Sequence, residues 1–323
     1  MSADRAPGLI ALDWGTTSLR AYLVGDDGAV LERRSAPSGI LQIPGRDFDG
    51  VFRTFLAEWR AREPELPVLA SGMIGSAQGW IEAPYVDLPA DVDAVARRLA
   101  TVPASGLRIV PGLAQRGDAP DVMRGEETQL FGAMAVCSAL ARGGTVVLPG
   151  THSKWARVSS GRIERFTTYM TGELYAVLRE HSILGRLAGA AATGPVAPGA
   201  AFRRGVREVR GSSRGLSSLL FSARASVLVG DLPASDSLEY LSGLLVGDEV
   251  RSALAAGDRP AAIVGDPALC DRYLAAFADF DLPDVERLGD TAAAGLWQIA
   301  RRAWPALQRG APPSRKPVSD GVN

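Results

Sequence analysis

The stretch IALDWGTTSLRAYLV, residues 10–24, sets two apolar runs around a polar turn, with Asp13 closing the first run and Arg20 opening the second. Strand, turn and strand follow from that pattern. GDDG at 25–28 then reads as a tight turn and AVLERRS at 29–35 as a third strand, so the chain begins as a β-meander. The turn Asp13-Trp14-Gly15-Thr16-Thr17-Ser18 allows two readings. It is an ordinary hairpin turn in which Asp13 caps its own backbone, or a cradle in which small residues and hydroxyls let phosphate oxygens approach backbone N–H groups. A dinucleotide fingerprint or P-loop is excluded, because each needs its glycine-rich turn to run into a helix. This turn runs into another strand.

The pattern recurs in VVLPGTHSKWARVSSGRIERFTTYMTG, residues 146–172. Aligned on the turn, Gly15-Thr16 overlies Gly150-Thr151, Ser18 overlies Ser153 and Ala21 overlies Ala156; after a two-residue shortening Gly28 overlies Gly161 and Gly39 overlies Gly172. A strand-turn-strand unit in each half predicts two related α/β domains whose turns face each other across a cleft. The expected division is 1–115 for the first domain, 116–310 for the second, with a hinge near 115, and 311–323 as a disordered Pro/Ser/Gly-rich tail.

Helices are expected over 48–62, 89–102, 125–144, 198–224 and 235–255, and in the last part of the chain, alternating with strands such as PVLASGM and LRIVPGL. AAIVGDPALCDRYLAAF reads as strand, glycine turn and helix.

Composition bounds the function. With 323 residues, 46% of them hydrophobic, the chain can bury one large or two modest cores. A net charge of −1 offers no basic surface for nucleic acid or anionic lipid, so a small-molecule partner is expected, with a homo-oligomer open. Cys137 and Cys270 stand far apart without metal-ligand spacing and read as packing residues of a reducing compartment. The two histidines, His152 and His181, cannot make a three-histidine metal site, and His181 reads as structural. No apolar run reaches membrane-spanning length, and the expected location is the cytoplasm. Only two lysines occur, Lys154 and Lys316, the second in the tail.

Three residues carry the chemistry if the turns bind phosphate. Asp13, ending its strand, can hold a hydrated Mg²⁺, which takes one or two carboxylates together with phosphate oxygens. Arg20 can neutralise developing phosphoryl charge. Lys154, within the second turn segment, can reach phosphate or substrate, or be a stray in an arginine-biased chain. Trp14 and Trp155 are expected to pack beneath their turns.

The segments IALDWGTTSLRAYLV, MRGEETQLFG, LPGTHSKWARV, AIVGDPALCDRY and GDTAAAGLWQIA occur in the order of the first phosphate, catalytic, second phosphate, adenosine and connecting segments of carbohydrate kinases in the actin-like ATPase and hexokinase superfamily. In wording, with SGMIGSAQGWIEAPYVDLPA at 71–90, the chain resembles the 2-dehydro-3-deoxygalactonokinase family of sugar-acid kinases. The resemblance implies two actin-like, ribonuclease H-like domains around a cleft. It implies ATP and Mg²⁺ as cofactors, a small sugar acid as partner, and transfer of the γ-phosphate to the 6-hydroxyl of 2-dehydro-3-deoxy-D-galactonate. Asp13, Gly15, Thr16 and Thr17 then belong to the first phosphate segment, Gly150, Thr151 and Ser153 to the second, and Gly265 to the adenosine segment. Gly125-Glu126 takes the place of a glycine-carboxylate pair that accepts the proton of the sugar hydroxyl, although the family pattern has Asp where this chain has Glu126. Glu127 follows at once, so either could be the base; alternatively the pair only complements a helix dipole. A sugar acid needs a cation or backbone donors for its carboxylate, with Arg20 and Lys154 as candidates. Ser38-Gly39 and Ser71-Gly72-Met73 are pocket walls or packing loops, and His152 orients a phosphate or hydroxyl. The alternatives are a kinase of the same fold for another sugar or keto-sugar acid, an ATP-driven switch of the actin or chaperone kind, and an inactive sugar-binding regulator, against which stand Asp13 and Glu126.

Overall fold

The computed structural model describes residues 5–187 and 197–308; the expected tail at 311–323 and Lys316 lie outside the described residues. The contacts divide the chain into two compact units, the first made of 1–138, 161–164 and 291–323, the second of 139–160 and 165–290.

In the first unit β1 (Pro7–Trp14), β2 (Leu19–Gly25) and β3 (Val30–Ala36) form the antiparallel meander, and β4 (Val68–Ser71) lies parallel to β1. Between them α1 (Phe48–Arg62) starts on Asp47, whose carboxylate accepts the Gly50 N–H at 2.8 Å, and ends with Arg60 and Arg62 at its negative pole. Phe48, Phe52, Leu56 and Trp59 recur at helical spacing and bury against Ile10, Leu12 and Trp14 of β1, the alternate residues of one strand face. Leu9 and Ala11, on the other face, are fully buried too, which is why β1 reads as an unbroken apolar run.

Further on come β5 (Tyr85–Asp87), β6 (Ala90–Asp91), α2 (Val92–Ala96), β7 (Ala100–Thr101), β8 (Leu107–Ile109), β9 (Gly112–Gln115) and β10 (Asp121–Met123). The main sheet has the order β3-β2-β1-β4-β8-β7, and β10-β9-β5 make a small separate sheet. The helix expected over 89–102 is thus cut to five residues. Asp91 caps it, accepting the Ala94 N–H at 2.8 Å, but Ala100 and Thr101 are claimed by pairing with Ile109 and Arg108. The helix expected over 125–144 is α3 (Glu126–Val136), with a 3₁₀ turn over Ser138–Arg142.

The second unit repeats the plan. β11 (Gly144–Leu148), β12 (Ser153–Ser159) and β13 (Arg162–Tyr169) form the meander, and Arg162 and Ile163 pair with Asp91 and Ala90, which groups 161–164 with the first unit. Next come α4 (Thr171–His181), α5 (Ala200–Gly211), the short α6 (Leu216–Leu219) and α7 (Ser222–Leu228), α8 (Ser237–Ala255), β14 (Pro260–Val264), α9 (Pro267–Asp279) and β15 (Glu286–Leu288). The order within this unit is β13-β12-β11-β14-β15, with β11, β14 and β15 parallel. Counted from its own first strand, each unit runs third, second, first, fourth and then one further parallel strand, β8 in the first unit and β15 in the second; β7 adds an antiparallel edge to the first. The five-stranded order common to both is the ribonuclease H-like topology.

α10 (Ala292–Ala303) returns the chain to the first unit and packs on α3. Thr291 Oγ1 donates to the Gln129 carbonyl at 2.8 Å, and a β-carbon on Gly295 would stand 1.8 Å from the Thr128 oxygen. This close crossing is why the contact division differs from the expected boundary near 115: residues 116–138 group with the first unit. Among the described residues no helix is long and apolar enough to cross a membrane. Cys137 and Cys270 are buried and unbridged, and burial pushes the Cys270 thiol up to about 11, as suits packing residues. His181, expected as structural, lies exposed at the end of α4.

Candidate active site

In the first unit the end of β1 carries Asp13, beside Ser71 of β4 and Arg20 of β2. Arg20 Nη1 stands 3.5 Å from Asp13 Oδ2 with its side chain 47% exposed, a loose pair that leaves the guanidinium accessible. The turn closes when the Gly15 N–H donates to the Ser18 carbonyl at 2.9 Å. Its outer carbonyls are satisfied from the loop after β3: Ile40 N–H donates to Gly15 O at 3.0 Å and Leu41 N–H to Thr16 O at 3.3 Å. Gly39 is buried behind this turn, and a β-carbon there would lie 2.3 Å from the Thr16 carbonyl carbon and oxygen. The Ser38 carbonyl accepts Trp14 Nε1–H at 2.8 Å, and Trp14 is wholly buried. The backbone of Ser38-Gly39 thus braces the turn, leaving Thr17 exposed and Thr16 half-buried.

Three segments of this unit meet at Gly72. Its φ of 95° follows the end of β4, and a β-carbon would stand 2.8 Å from the Trp14 carbonyl oxygen and 3.4 Å from Asp13 Oδ1. Gly125, with φ of 108°, comes close enough that its β-carbon would be 3.2 Å from Gly72 Cα. Asp13, Gly72 and Gly125 are therefore neighbours, with Ser71 buried and Met73 half-buried beside them.

The paired glutamates that start α3 differ sharply. Glu126 is half-buried, and its Oε2 accepts the Arg124 N–H at 3.0 Å. Glu127 is completely buried; its Oε2 accepts the Gly125 N–H at 2.7 Å and its Oε1 the Thr128 hydroxyl at 3.2 Å. Burial first, and then the Glu126 charge, push the Glu127 carboxyl up to about 8, so it is mainly protonated at neutral pH. Arg124, not singled out from the sequence, lies over the Tyr85 ring at 4.4 Å and donates through Nη2 to the Ala83 carbonyl at 2.9 Å. Its place beside Gly125-Glu126 is the one signal that could have found it.

In the second unit the turn from β11 to β12 exposes Thr151 and His152. Ser153 is wholly buried, its Oγ accepting the Gly150 N–H at 3.4 Å. Lys154, 3% exposed, directs Nζ to the His152 carbonyl at 3.3 Å. Both lie beneath the turn. The exposed His152 ring meets the Glu173 carboxylate, and the Glu173 N–H donates to Thr151 O at 3.0 Å. Gly172 presses on the turn as Gly39 does on the first, with a would-be β-carbon 2.5 Å from Gly150 O. Gly265, with φ of 149°, comes within van der Waals reach of Pro149, a would-be β-carbon lying 3.6 Å from its carbonyl oxygen. Asp266 then caps α9, accepting Ala268 N–H at 2.9 Å and Leu269 N–H at 3.2 Å.

No group of three His, Cys, Asp or Glu side chains fit to hold a metal gathers among the described residues. Asp13, at the end of β1, is a single carboxylate of the kind that suits a magnesium ion keeping most of its water.

Two ribonuclease H-like units, each with a glycine-threonine turn after its first strand, define the chain as an actin-like α/β protein of the sugar-kinase class. Residues 13–299 match the family described as 2-keto-3-deoxy-galactonokinase, and the chain belongs to that family. It is 40% identical over 301 residues to a protein of Rhizobium meliloti (strain 1021) assigned as 2-dehydro-3-deoxygalactonokinase, covering 91% of this chain and 97% of that one. The 2-dehydro-3-deoxygalactonokinase of Escherichia coli (strain K12) is 38% identical over 295 residues, covering 90% and 97%. A crystal structure of a Sinorhizobium meliloti protein assigned the same activity superposes with a TM-score of 0.84 at 39% identity, covering 92% of this chain and 99% of that one.

Proposed function

We propose that this chain transfers the γ-phosphoryl group of ATP to the 6-hydroxyl of 2-dehydro-3-deoxy-D-galactonate, giving the 6-phosphate and ADP in galactonate catabolism. The observation that carries the reading is the meeting of Asp13, Gly72 and Gly125-Glu126 within one unit of a chain of this family. Glu126 is the base: it is partly accessible, while Glu127 is enclosed and protonated. The 6-hydroxyl oxygen attacks the γ-phosphorus, the bond to the β-bridging oxygen breaks and leaves with ADP, and Glu126 accepts the hydroxyl proton. Mg²⁺, when bound, supplies charge neutralisation at the phosphates, with Asp13 as its holder through water. Thr16 and Thr17 of the first turn and Gly150-Thr151 of the second serve the phosphates, and Gly265 lets the nucleoside approach the backbone.

Arg20 suits developing phosphoryl charge or the substrate carboxylate better than Lys154, because its side chain is accessible whereas the lysine Nζ is tied beneath its turn. Ser71, Gly72 and Met73 lie close enough to Asp13 to wall the sugar-acid pocket. ATP as co-substrate sets the reaction in the cytoplasm.

An ADP-release assay over a panel of keto-deoxy sugar acids and neutral sugars tests the reading. Turnover is expected to be fastest with 2-dehydro-3-deoxy-D-galactonate. Preference for another sugar acid would shift the substrate while keeping the chemistry, and turnover indifferent to every sugar would favour an ATPase switch.

A further inference from the structure

Glu249, on α8, is 2% exposed, and among the described residues no cation donates a hydrogen bond to it. Its Oε1 accepts Trp155 Nε1–H at 2.8 Å; its Oε2 accepts the Tyr273 hydroxyl at 2.6 Å and the Thr171 hydroxyl. Tyr273 Oη in turn lies 2.8 Å from Ser153 Oγ. With the Glu249 carboxylate ionised, Tyr273 donates its one proton to it and accepts from Ser153, whose remaining lone pair faces the Gly150 N–H. One direction runs through the whole chain: Gly150 N–H to Ser153, Ser153 to Tyr273, Tyr273 to the carboxyl.

The three donors come from three segments that frame the second turn. Trp155 lies in β12, directly after the turn; Thr171 starts α4, one residue before the Gly172 that presses on Gly150; Tyr273 lies in α9, which begins just beyond Gly265. A buried carboxyl is costly to desolvate, and apolar packing would serve a core better if stability were its whole purpose. What the carboxyl adds is a fixed acceptor that aims the Gly150 N–H inward and leaves Thr151 outward.

We infer that Glu249 is a positioning residue for the nucleotide, setting the Gly150-Thr151 turn through Tyr273 and Ser153 without touching the ligand. This rests on the reading that the second turn binds ATP phosphates. Glutamine at 249 keeps the shape but turns an NH₂ donor toward hydroxyls that now donate, so the chain must reverse at Tyr273. Phenylalanine at 273 removes a single hydroxyl and cuts the chain at its middle.

The test compares KM for ATP, KM for the sugar acid, kcat and thermal unfolding in wild-type protein, Glu249→Gln, Tyr273→Phe, their double variant and Thr151→Val. Glu249→Gln and Tyr273→Phe should each raise KM for ATP at least about fivefold, leave KM for the sugar acid unchanged, and combine less than additively because they break one chain. Should Glu249→Gln fail to fold, Tyr273→Phe decides alone. A lowered unfolding temperature with KM for ATP untouched in Tyr273→Phe, while Thr151→Val still weakens ATP, overturns the inference and leaves the functional reading standing. Unaltered ATP kinetics in Thr151→Val overturns the reading itself.

Discussion

Two adjacent glutamates show how far residue type alone determines role. Glu126 and Glu127 share the first turn of α3, yet one is partly accessible and the other is enclosed with its carboxyl pushed up to about 8. Replacing Glu126 with Gln should lower kcat at least ~10²-fold with nucleotide affinity unchanged, as expected for loss of a general base; rapid-quench turnover and ADP-binding titration check the two parts. Glu127→Gln should behave differently. Because the folded-state pKa lies above the ordinary carboxylate value of 4.5, the protonated form is favoured by folding. The stability this contributes is present at acid pH and is lost as pH rises through about 8. Unfolding midpoints across the pH range should therefore decline toward alkaline pH in the wild type and much less in Glu127→Gln, whose activity near neutrality persists. The start of α3 at Gly125-Glu126 was legible in the sequence, but which of the two glutamates is enclosed was not, because that depends on burial. The same holds for the burial of Ser153 and Lys154, which the sequence does not mark. Residues 153–156 of β12 are all buried, so both strand faces are covered and no alternation marks which side chain turns outward.

Elements were most readable where local rules and tertiary packing agree. The meander around Gly15-Thr16 follows from two apolar runs flanking a polar turn, and the span of α1 from helical spacing and the Asp47 cap. The segment 89–102 had helical periodicity too, but Ala90 and Asp91 pair with Ile163 and Arg162, distant in sequence, and Ala100 and Thr101 pair with Ile109 and Arg108 of the nearby β8. The pairing of Gly39 with Gly172, drawn from a sequence register, has a common physical cause: each presses on its turn where a β-carbon would fall 2.3 Å or 2.5 Å from a carbonyl oxygen. Gly39→Ala and Gly172→Ala should accordingly each cost about 1–3 kcal/mol in denaturant unfolding. Both should also raise KM for ATP, because the backbone that yields is the turn. A loss of stability without any change in ATP kinetics would separate these glycines from the nucleotide.

At the scale of the molecule, the duplicated strand order was visible as a repeated strand-turn-strand pattern, whereas the grouping of α3 with the first unit was not. That grouping depends on α10, 166 residues beyond Glu126 at its first residue, coming back to pack on α3. No local pattern announces such a return. A kinase protects ATP by withholding turnover from water until its acceptor is bound. ADP release should therefore be slow with ATP and Mg²⁺ alone and rise strongly when the sugar acid is added. The most direct test of the central claim is ³¹P NMR of the complete reaction, which identifies the atom that receives the phosphoryl group. A phosphomonoester on the 6-oxygen of 2-dehydro-3-deoxy-D-galactonate, formed in step with ADP, is the predicted result. Inorganic phosphate in place of that ester, formed equally with and without the sugar acid, would contradict it.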